Sequence, residues 1–145
     1  MKIALDPHMF RNTTTLTTLP GVVADLGYEW IELSPREDFT PFFTHPRVND
    51  AAVRDFRREL DAAGVGVSSI LPLYRWSGPD EDERQAAVRY WKRAIQLASL
   101  LGVDTMNSEF NGNPRQPDVC EAMFWRSMEE LLPEFEKEGI RLVLE

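Results

Sequence analysis

Carboxylate, carboxamide and imidazole side chains recur at five points of the sequence, each at or just after a short apolar run. Hard divalent cations prefer such oxygen-rich donor sets, and aromatic rings among them suit stacking on a sugar ring. The pattern therefore indicates binding of a metal ion or of a ligand with many hydroxyl groups. In chain order the candidates are Asp6, His8, Glu32, Ser34, Arg36, Tyr74, Arg75, Trp76, Asn107, Glu109, Asn111 and Glu145.

Two carboxylates stand inside or directly after apolar runs. Glu32 lies within the run WIEL, and Glu145 follows LVL. An unpaired carboxylate is costly to bury, so each of these residues needs a partner. A metal ion or an arginine would satisfy Glu145. For Glu32 the alternatives are a functional contact and a structural salt bridge.

The other candidates also have a functional and a structural interpretation. His8 follows a proline at the end of a predicted strand, where a ligand contact is one of two options. Asn107 and Glu109 line a site or cap the loop that follows their strand. Trp76 is either a platform for a substrate or a cover over the neighbouring core. No G-x-S-x-G motif is present, and the single cysteine, Cys120, does not end a strand, so nucleophile motifs are absent.

The elements that position these residues repeat along the chain. Gly27, Gly64, Gly102 and Gly139 follow one another at intervals of 37 or 38 residues. Each glycine ends an amphipathic, helix-like run and precedes an apolar, strand-like run. A constant period of this size indicates a repeated supersecondary unit, and a glycine between helix and strand is typical of a helix C-cap.

Five strands and four helices are predicted from these patterns. The strands are predicted at Lys2–Asp6, Trp30–Ser34, Val65–Leu71, Val103–Ser108 and Arg141–Glu145. The helices are predicted within Thr13–Leu26, from Asn49 or Asp50, from Asp80, and from about Asp118 to Glu138. Pro133 is expected to kink the last helix, because it lacks a backbone donor.

Alternation of strands and helices predicts an α/β fold with parallel strands. An open doubly wound sheet and a TIM barrel both satisfy this order. No glycine-rich phosphate-binding motif follows a strand, and eight units of this length give roughly 300 residues, which favours the barrel. Residues 1–145 are interpreted as the N-terminal half of one (β/α)₈ barrel. A complete small α/β domain is the alternative. In a barrel the ends of the strands and the loops after them form the active site.

Charge and cysteine content narrow the function classes. The formal net charge is −8. This argues against nucleic acid and anionic membranes as partners, because both attract basic surfaces. The single cysteine excludes an internal disulfide framework, and the apolar stretch at the N-terminus is too short for a signal peptide. We therefore expect a cytoplasmic protein.

Five segments resemble the xylose-isomerase-like TIM barrels, often described as sugar phosphate isomerases/epimerases. They are KIALDPHMF, LGYEWIELS, LPLYRWSGPDEDERQAAVRYWKRAIQLASLLG, DTMNSEFNG and EKEGIRLVLE. The resemblance extends over the whole chain, and the order of the segments strengthens it.

The resemblance implies a divalent metal, most often Mn²⁺, with Mg²⁺, Co²⁺ and Zn²⁺ as alternatives. Glu145 matches the first metal ligand of the family, which in some members also transfers the proton, and the other ligands would lie beyond residue 145. The resemblance further implies that the ends of the first four strands contact the sugar. The residues at those places are His8, Glu32, Trp76, Asn107 and Glu109.

The reaction implied by the resemblance is enolisation of a carbohydrate carbonyl compound, which leads to isomerisation or epimerisation. An alternative is a carbon–carbon lyase, the α subunit of a C-glycoside deglycosidase, which acts on 3-keto C-glycosides together with a small β subunit. For this alternative, the rings of Tyr74 and Trp76 suit a flat aglycone. A non-catalytic sugar-binding module is a further hypothesis, and a homo-oligomer is left open. The abasic-site endonuclease branch of the fold is disfavoured by the acidic composition and by only two histidines.

Overall fold

The computed structural model describes residues 3–10, 13–34, 50–110 and 112–144. Within these ranges the chain alternates between helices and strands, as the glycine period predicts. The elements are α1 (Leu19–Asp25), β1 (Trp30–Leu33), α2 (Asp50–Ala63), β2 (Gly66–Ile70), α3 (Glu81–Leu101), β3 (Thr105–Ser108), α4 (Pro117–Glu138) and β4 (Arg141–Leu144).

The four strands form one parallel sheet in the order β1-β2-β3-β4. Each strand therefore pairs with the next strand in sequence, with a helix between them. The helices pack in the same order, because α1 contacts α2, α2 contacts α3, and α3 contacts α4. This arrangement is a fragment of a parallel barrel. The α/β fold class predicted from the sequence is confirmed.

The first predicted strand is much shorter than expected. Lys2 lies outside the described residues, and only Leu5 pairs with β1, through an isolated parallel bridge to Ile31. The chain then enters a 3-10 turn at Pro7–Phe10. Pro7 has no N–H for further pairing, and the carboxylate of Asp6 accepts the N–H of His8 at 2.9 Å. These two features end the extended segment.

Left-handed glycines end the helices. Gly27, Gly64, Gly102 and Gly139 have φ angles of 82°, 68°, 72° and 67°. Among the described residues no other residue has a positive φ. The prediction that these glycines separate helix from strand is confirmed, and its physical reason is the absence of a Cβ, which makes this conformation accessible.

The start of α3 and the interior of α4 show how local sequence sets the helices. Asp80 caps α3, and its carboxylate accepts the N–H of Glu83 at 2.9 Å, as the sequence predicts. By contrast, α4 continues through Pro133 from Pro117 to Glu138. The proline lies on the exposed side of the helix, where water can bond the carbonyl that has lost its partner.

The main core lies between the sheet and the helices. Ile31, Leu33, Ile70 and Met106 are fully buried and project from the strands toward the helices. On β1 and β3 the opposite face of the sheet carries the partly exposed residues. Alternation along β1 and β3 therefore separates a face packed against the helices from a face that the helices do not cover. None of the helices in the described ranges combines the length and the hydropathy needed to cross a membrane.

Gly139 allows a direct test of whether the left-handed conformation at the end of a helix favours glycine. A Cβ at Gly139 would meet no atom within 4 Å, so Gly139→Ala introduces only backbone strain. We expect it to lower the free energy of unfolding by about 1–2 kcal/mol in a urea titration. Gly21→Ala is the matched control, because Gly21 lies in α1 at negative φ and also has open space around it. It should leave the stability unchanged or raise it by up to about 1 kcal/mol. Equal losses in both variants would contradict the left-handed cap.

Candidate functional site

Three polar side chains from three strands meet on the face of the sheet away from the helices. The hydroxyl of Ser69 donates to Oε1 of Glu32 at 2.8 Å. The carboxamide of Asn107 donates from Nδ2 to the same oxygen at 2.7 Å. We call these three residues the Glu32 cluster. Both donors give hydrogen bonds to a half-buried carboxylate, so the cluster supplies the partner that the sequence indicated.

Strand alternation explains why these residues share one face. On β1, Ile31 and Leu33 are buried against the helices, which leaves Glu32 on the opposite face. On β3, Met106 and Ser108 are buried, which leaves Asn107 on that same opposite face. The sequence-predicted residues Glu32 and Asn107 are therefore brought together.

Nearer the amino-terminal ends of the strands, the same face carries the apolar ring of Trp30. Gly66 pairs with Trp30, and a Cβ on Gly66 would lie 2.5 Å from Cζ3 of the Trp30 ring. The glycine is required because the indole lies directly over its backbone. Neither Ser69 nor the Trp30–Gly66 contact was found from the sequence. The glycine between two β-strand formers was the only available signal of a close approach.

The remaining predicted residues lie elsewhere or outside the described ranges. His8 is half-buried in the 3-10 turn, where its N–H donates to Asp6. Glu109 is exposed after β3, and its carbonyl accepts the hydroxyl of Ser108 at 3.3 Å. Neither residue belongs to the Glu32 cluster. The candidates Arg36, Asn111 and Glu145 lie outside the described residues.

The structure places Trp76 in the core. Its side chain is 0% exposed, and its ring stacks on Trp91 with centroids 4.2 Å apart and an angle of 8° between the planes. Phe124 also contacts Trp76 in a T-shaped arrangement, with the ring centroids 6.0 Å apart. A sugar or an aglycone needs an exposed ring face, and Trp76 has none. Of its two interpretations, the structure therefore supports the cover over the core.

A charged clamp between α3 and α4 holds the loop that carries Trp76. The guanidinium of Arg84 is only 2% exposed and contacts Glu81 at 2.9 Å and Glu130 at 2.9 Å. Arg84 also donates to the hydroxyl of Ser127 at 3.2 Å, and that hydroxyl donates to the carbonyl of Trp76 at 2.7 Å. The clamp thus connects two helices to the loop after β2.

Glu81 lies between two guanidinium groups. Hydrogen bonds from Arg84 lower the pKa of the Glu81 carboxyl to about 2, with a smaller contribution from Gln85. Arg126, from α4, contacts both Glu81 oxygens at 3.0 and 3.1 Å. The carboxylate is therefore ionised throughout the neutral and mildly acidic range.

An apolar pocket of about 510 Å³ lies beside the loop after β3. It is lined by Phe110, Cys120, Phe124 and Trp125, among others. Phe110 and Trp125 are 49% and 58% exposed. The N–H of Asn113 donates to Sγ of Cys120 at 3.1 Å, which holds residue 113 against α4. This pocket is the exposed aromatic surface closest in sequence to Asn107.

A metal site needs several ligands that converge on one point. Residues 3–10, 13–34, 50–110 and 112–144 contain no group of three or more His, Cys, Asp or Glu side chains that would hold a metal ion. The Glu32 cluster has one carboxylate and two neutral groups. These residues alone therefore fit hydrogen bonding to a ligand rather than coordination of a metal.

Comparison with protein families gives one match. The family described as xylose isomerase-like TIM barrel matches residues 21–145. No curated protein matches the chain in sequence.

Several solved structures share the fold. The 3-keto-D-glucoside 4-epimerase from E. coli is 14% identical with a TM-score of 0.75, and the alignment covers 99% of this chain and 55% of that one. D-psicose 3-epimerase from Clostridium cellulolyticum H10, solved with D-tagatose, is 15% identical with a TM-score of 0.70, covering 90% and 46%. A TIM-barrel protein from Mycobacterium smegmatis, solved with magnesium, is 19% identical with a TM-score of 0.68, covering 93% and 48%. The chain thus spans about half the length of these proteins.

The clamp predicts a pH dependence of stability. The pKa of Glu81 is about 2 in the folded chain against an ordinary value of 4.5, so its contribution to stability is complete above about pH 4.5 and is lost as the pH falls toward 2. We expect Glu81→Gln to flatten the decrease in unfolding free energy between pH 5 and pH 3, measured by urea titration. Glu136→Gln, at an exposed helix position, is the control and should keep the slope of the unmodified chain. Parallel slopes for Glu81→Gln and the unmodified chain would contradict the role of the clamp.

Proposed function

The chain belongs to the xylose isomerase-like TIM barrel family, and on that premise we propose that it is part of an enzyme that isomerises or epimerises a sugar. The substrate in this proposal is a small carbohydrate with a carbonyl group, and neither nucleic acid nor a membrane is a partner. The solved structures with the same fold include epimerases of D-psicose and of a 3-keto-D-glucoside. The single cysteine, Cys120, is free, which agrees with a cytoplasmic location.

The observation that carries the proposal is the Glu32 cluster. A half-buried carboxylate, held by Ser69 and Asn107, lies on the face of the sheet that a barrel turns toward its ligand. Glu32 and Asn107 both stand in the carboxyl-terminal half of their strands. Hydroxyl groups are the natural donors for such a carboxylate. This arrangement supports binding of a sugar rather than of an apolar ligand.

We propose that the reaction begins with enolisation. A carboxylate removes the proton from the carbon next to the carbonyl group, and the proton returns at another carbon or from the other face. Return at another carbon isomerises the sugar, and return from the other face epimerises it. In this proposal Glu145 transfers the proton, and the Glu32 cluster orients the substrate hydroxyls.

A divalent metal is the cofactor in this proposal, with Mn²⁺ first and Mg²⁺ as the alternative. Such an ion supplies positive charge next to the developing enediolate oxygens. Glu145 is proposed as one ligand, and the remaining ligands would have to lie beyond residue 145. The assignment rests on the resemblance given above, in which Glu145 matches the first metal ligand of the family.

A carbon–carbon lyase is the second candidate. Its expected aromatic platform at Trp76 is buried, but the pocket lined by Phe110, Phe124 and Trp125 offers another apolar surface beside the loop after β3. In this alternative the pocket would hold the aglycone of a 3-keto C-glycoside. Release of free aglycone from such a compound by the complete enzyme would favour the lyase over the isomerase.

Glu145 is tested by isotope exchange. The complete enzyme, incubated with a ketohexose and Mn²⁺ in D₂O, should incorporate deuterium at the carbon next to the carbonyl group, as measured by mass spectrometry. We expect Glu145→Ala to reduce the exchange rate by at least about 100-fold, because both proton transfer and a metal ligand are removed. Glu136→Ala, an exposed carboxylate on α4, is the matched control and should exchange normally. Normal exchange in Glu145→Ala would remove this residue from the mechanism.

A further inference from the structure

The pairing of β1 with β2 contains one irregularity. Ile31 pairs with Val67, but the next residue, Glu32, pairs with Ser69. Ser68 is therefore an extra residue in β2, which is a β-bulge. Its hydroxyl donates to the carbonyl of Ile31 at 3.1 Å and so fixes the bulge with a side-chain hydrogen bond.

The bulge decides which of two adjacent serines faces Glu32. Regular pairing would place Ser68 opposite Glu32 and Ser69 opposite Leu33, on the face that packs against the helices. With the bulge, Ile70 pairs with Leu33, and both residues are fully buried in the core. Ser69 instead reaches Glu32. One extra residue thus completes the core and adds a donor to the opposite face.

The two donors in the Glu32 cluster bind the same oxygen. Ser69 and Asn107 both donate to Oε1, at 2.8 and 2.7 Å. Oε2 has no hydrogen-bond partner among the described residues and is not buried. Because Nδ2 of Asn107 points to Glu32, its Oδ1 points away. Two acceptors, Oε2 of Glu32 and Oδ1 of Asn107, therefore have no hydrogen-bond partner among the described residues.

We propose that Ser69 is a positioning residue for Glu32. Turned by the bulge at Ser68, its hydroxyl holds Oε1, so that Oε2 of Glu32 and Oδ1 of Asn107 accept from neighbouring hydroxyl groups of the substrate. The identity of the ligand as a sugar rests on the proposed function, whereas the positioning role rests on the geometry alone. Ser69 itself touches the carboxylate and not the ligand.

The positioning role is measured in the chain without any ligand, by NMR of the Asn107 side-chain amide. Its hydrogen bond to Glu32 should slow proton exchange with water. Ser69→Ala frees the carboxylate to rotate, so we expect protection of this amide to fall by about tenfold. Ser69→Thr keeps the hydroxyl and should restore protection. Ser108→Ala is the control, because Ser108 is buried on the opposite face of β3. Unchanged protection in Ser69→Ala would overturn the proposal.

Ligand binding is measured separately, by titration of D-fructose into the complete enzyme, both unmodified and carrying the same substitutions. We expect Ser69→Ala to weaken binding by about tenfold, and Ser69→Thr and Ser108→Ala to bind as the unmodified enzyme does. Equal affinity of Ser69→Ala and the unmodified enzyme would overturn the link between positioning and binding. Absence of binding by the unmodified enzyme would count against the proposed function, while the amide measurement would still decide the positioning role.

Discussion

Parallel pairing is the constraint on which the rest of this structure depends. Two neighbouring strands that run in the same direction need a connection that carries the chain back along the whole sheet, and here each connection is a helix. The helix must end and the chain must reverse within very few residues. A glycine in the left-handed conformation makes this turn at Gly27, Gly64, Gly102 and Gly139. The turns set where each strand begins, and pairing between neighbouring strands then brings Glu32 beside Asn107.

The second determinant is the cost of an ionised group in a partly buried place. Glu32 cannot lie beside apolar strands without donors, and the sheet supplies them from the two strands that follow. Arg84 presents the same problem with the opposite sign, and carboxylates from α3 and α4 solve it. The two solutions differ in what remains free. The contacts of Arg84 hold two helices together, whereas Oε2 of Glu32 has no hydrogen-bond partner among the described residues.

Much of the fold was predictable from the sequence because its signals are local. The cap at Asp80, the glycine turns and the long helices depend on residues close together in the chain. The face of the sheet on which Ser69 lies was not predictable, because residues 68 and 69 are both serine and only the pairing between strands distinguishes them. Burial of Trp76 likewise depends on a space between α3 and α4 that local patterns do not reveal. The first strand was overestimated because Leu5 keeps a single bridge before Pro7.

The glycine turns precede the strands and lie at their amino-terminal ends, whereas Glu32 and Asn107 lie toward the carboxyl-terminal ends. In the proposed function, the residues that end the helices and the residues that contact the ligand therefore lie at opposite ends of the strands. In that proposal, a substitution near the carboxyl-terminal end of a strand does not alter the glycine turn, and a substitution at a turn does not remove a side chain that contacts the ligand. Each repeat is in this sense a module whose chemistry can diverge while its architecture is inherited unchanged.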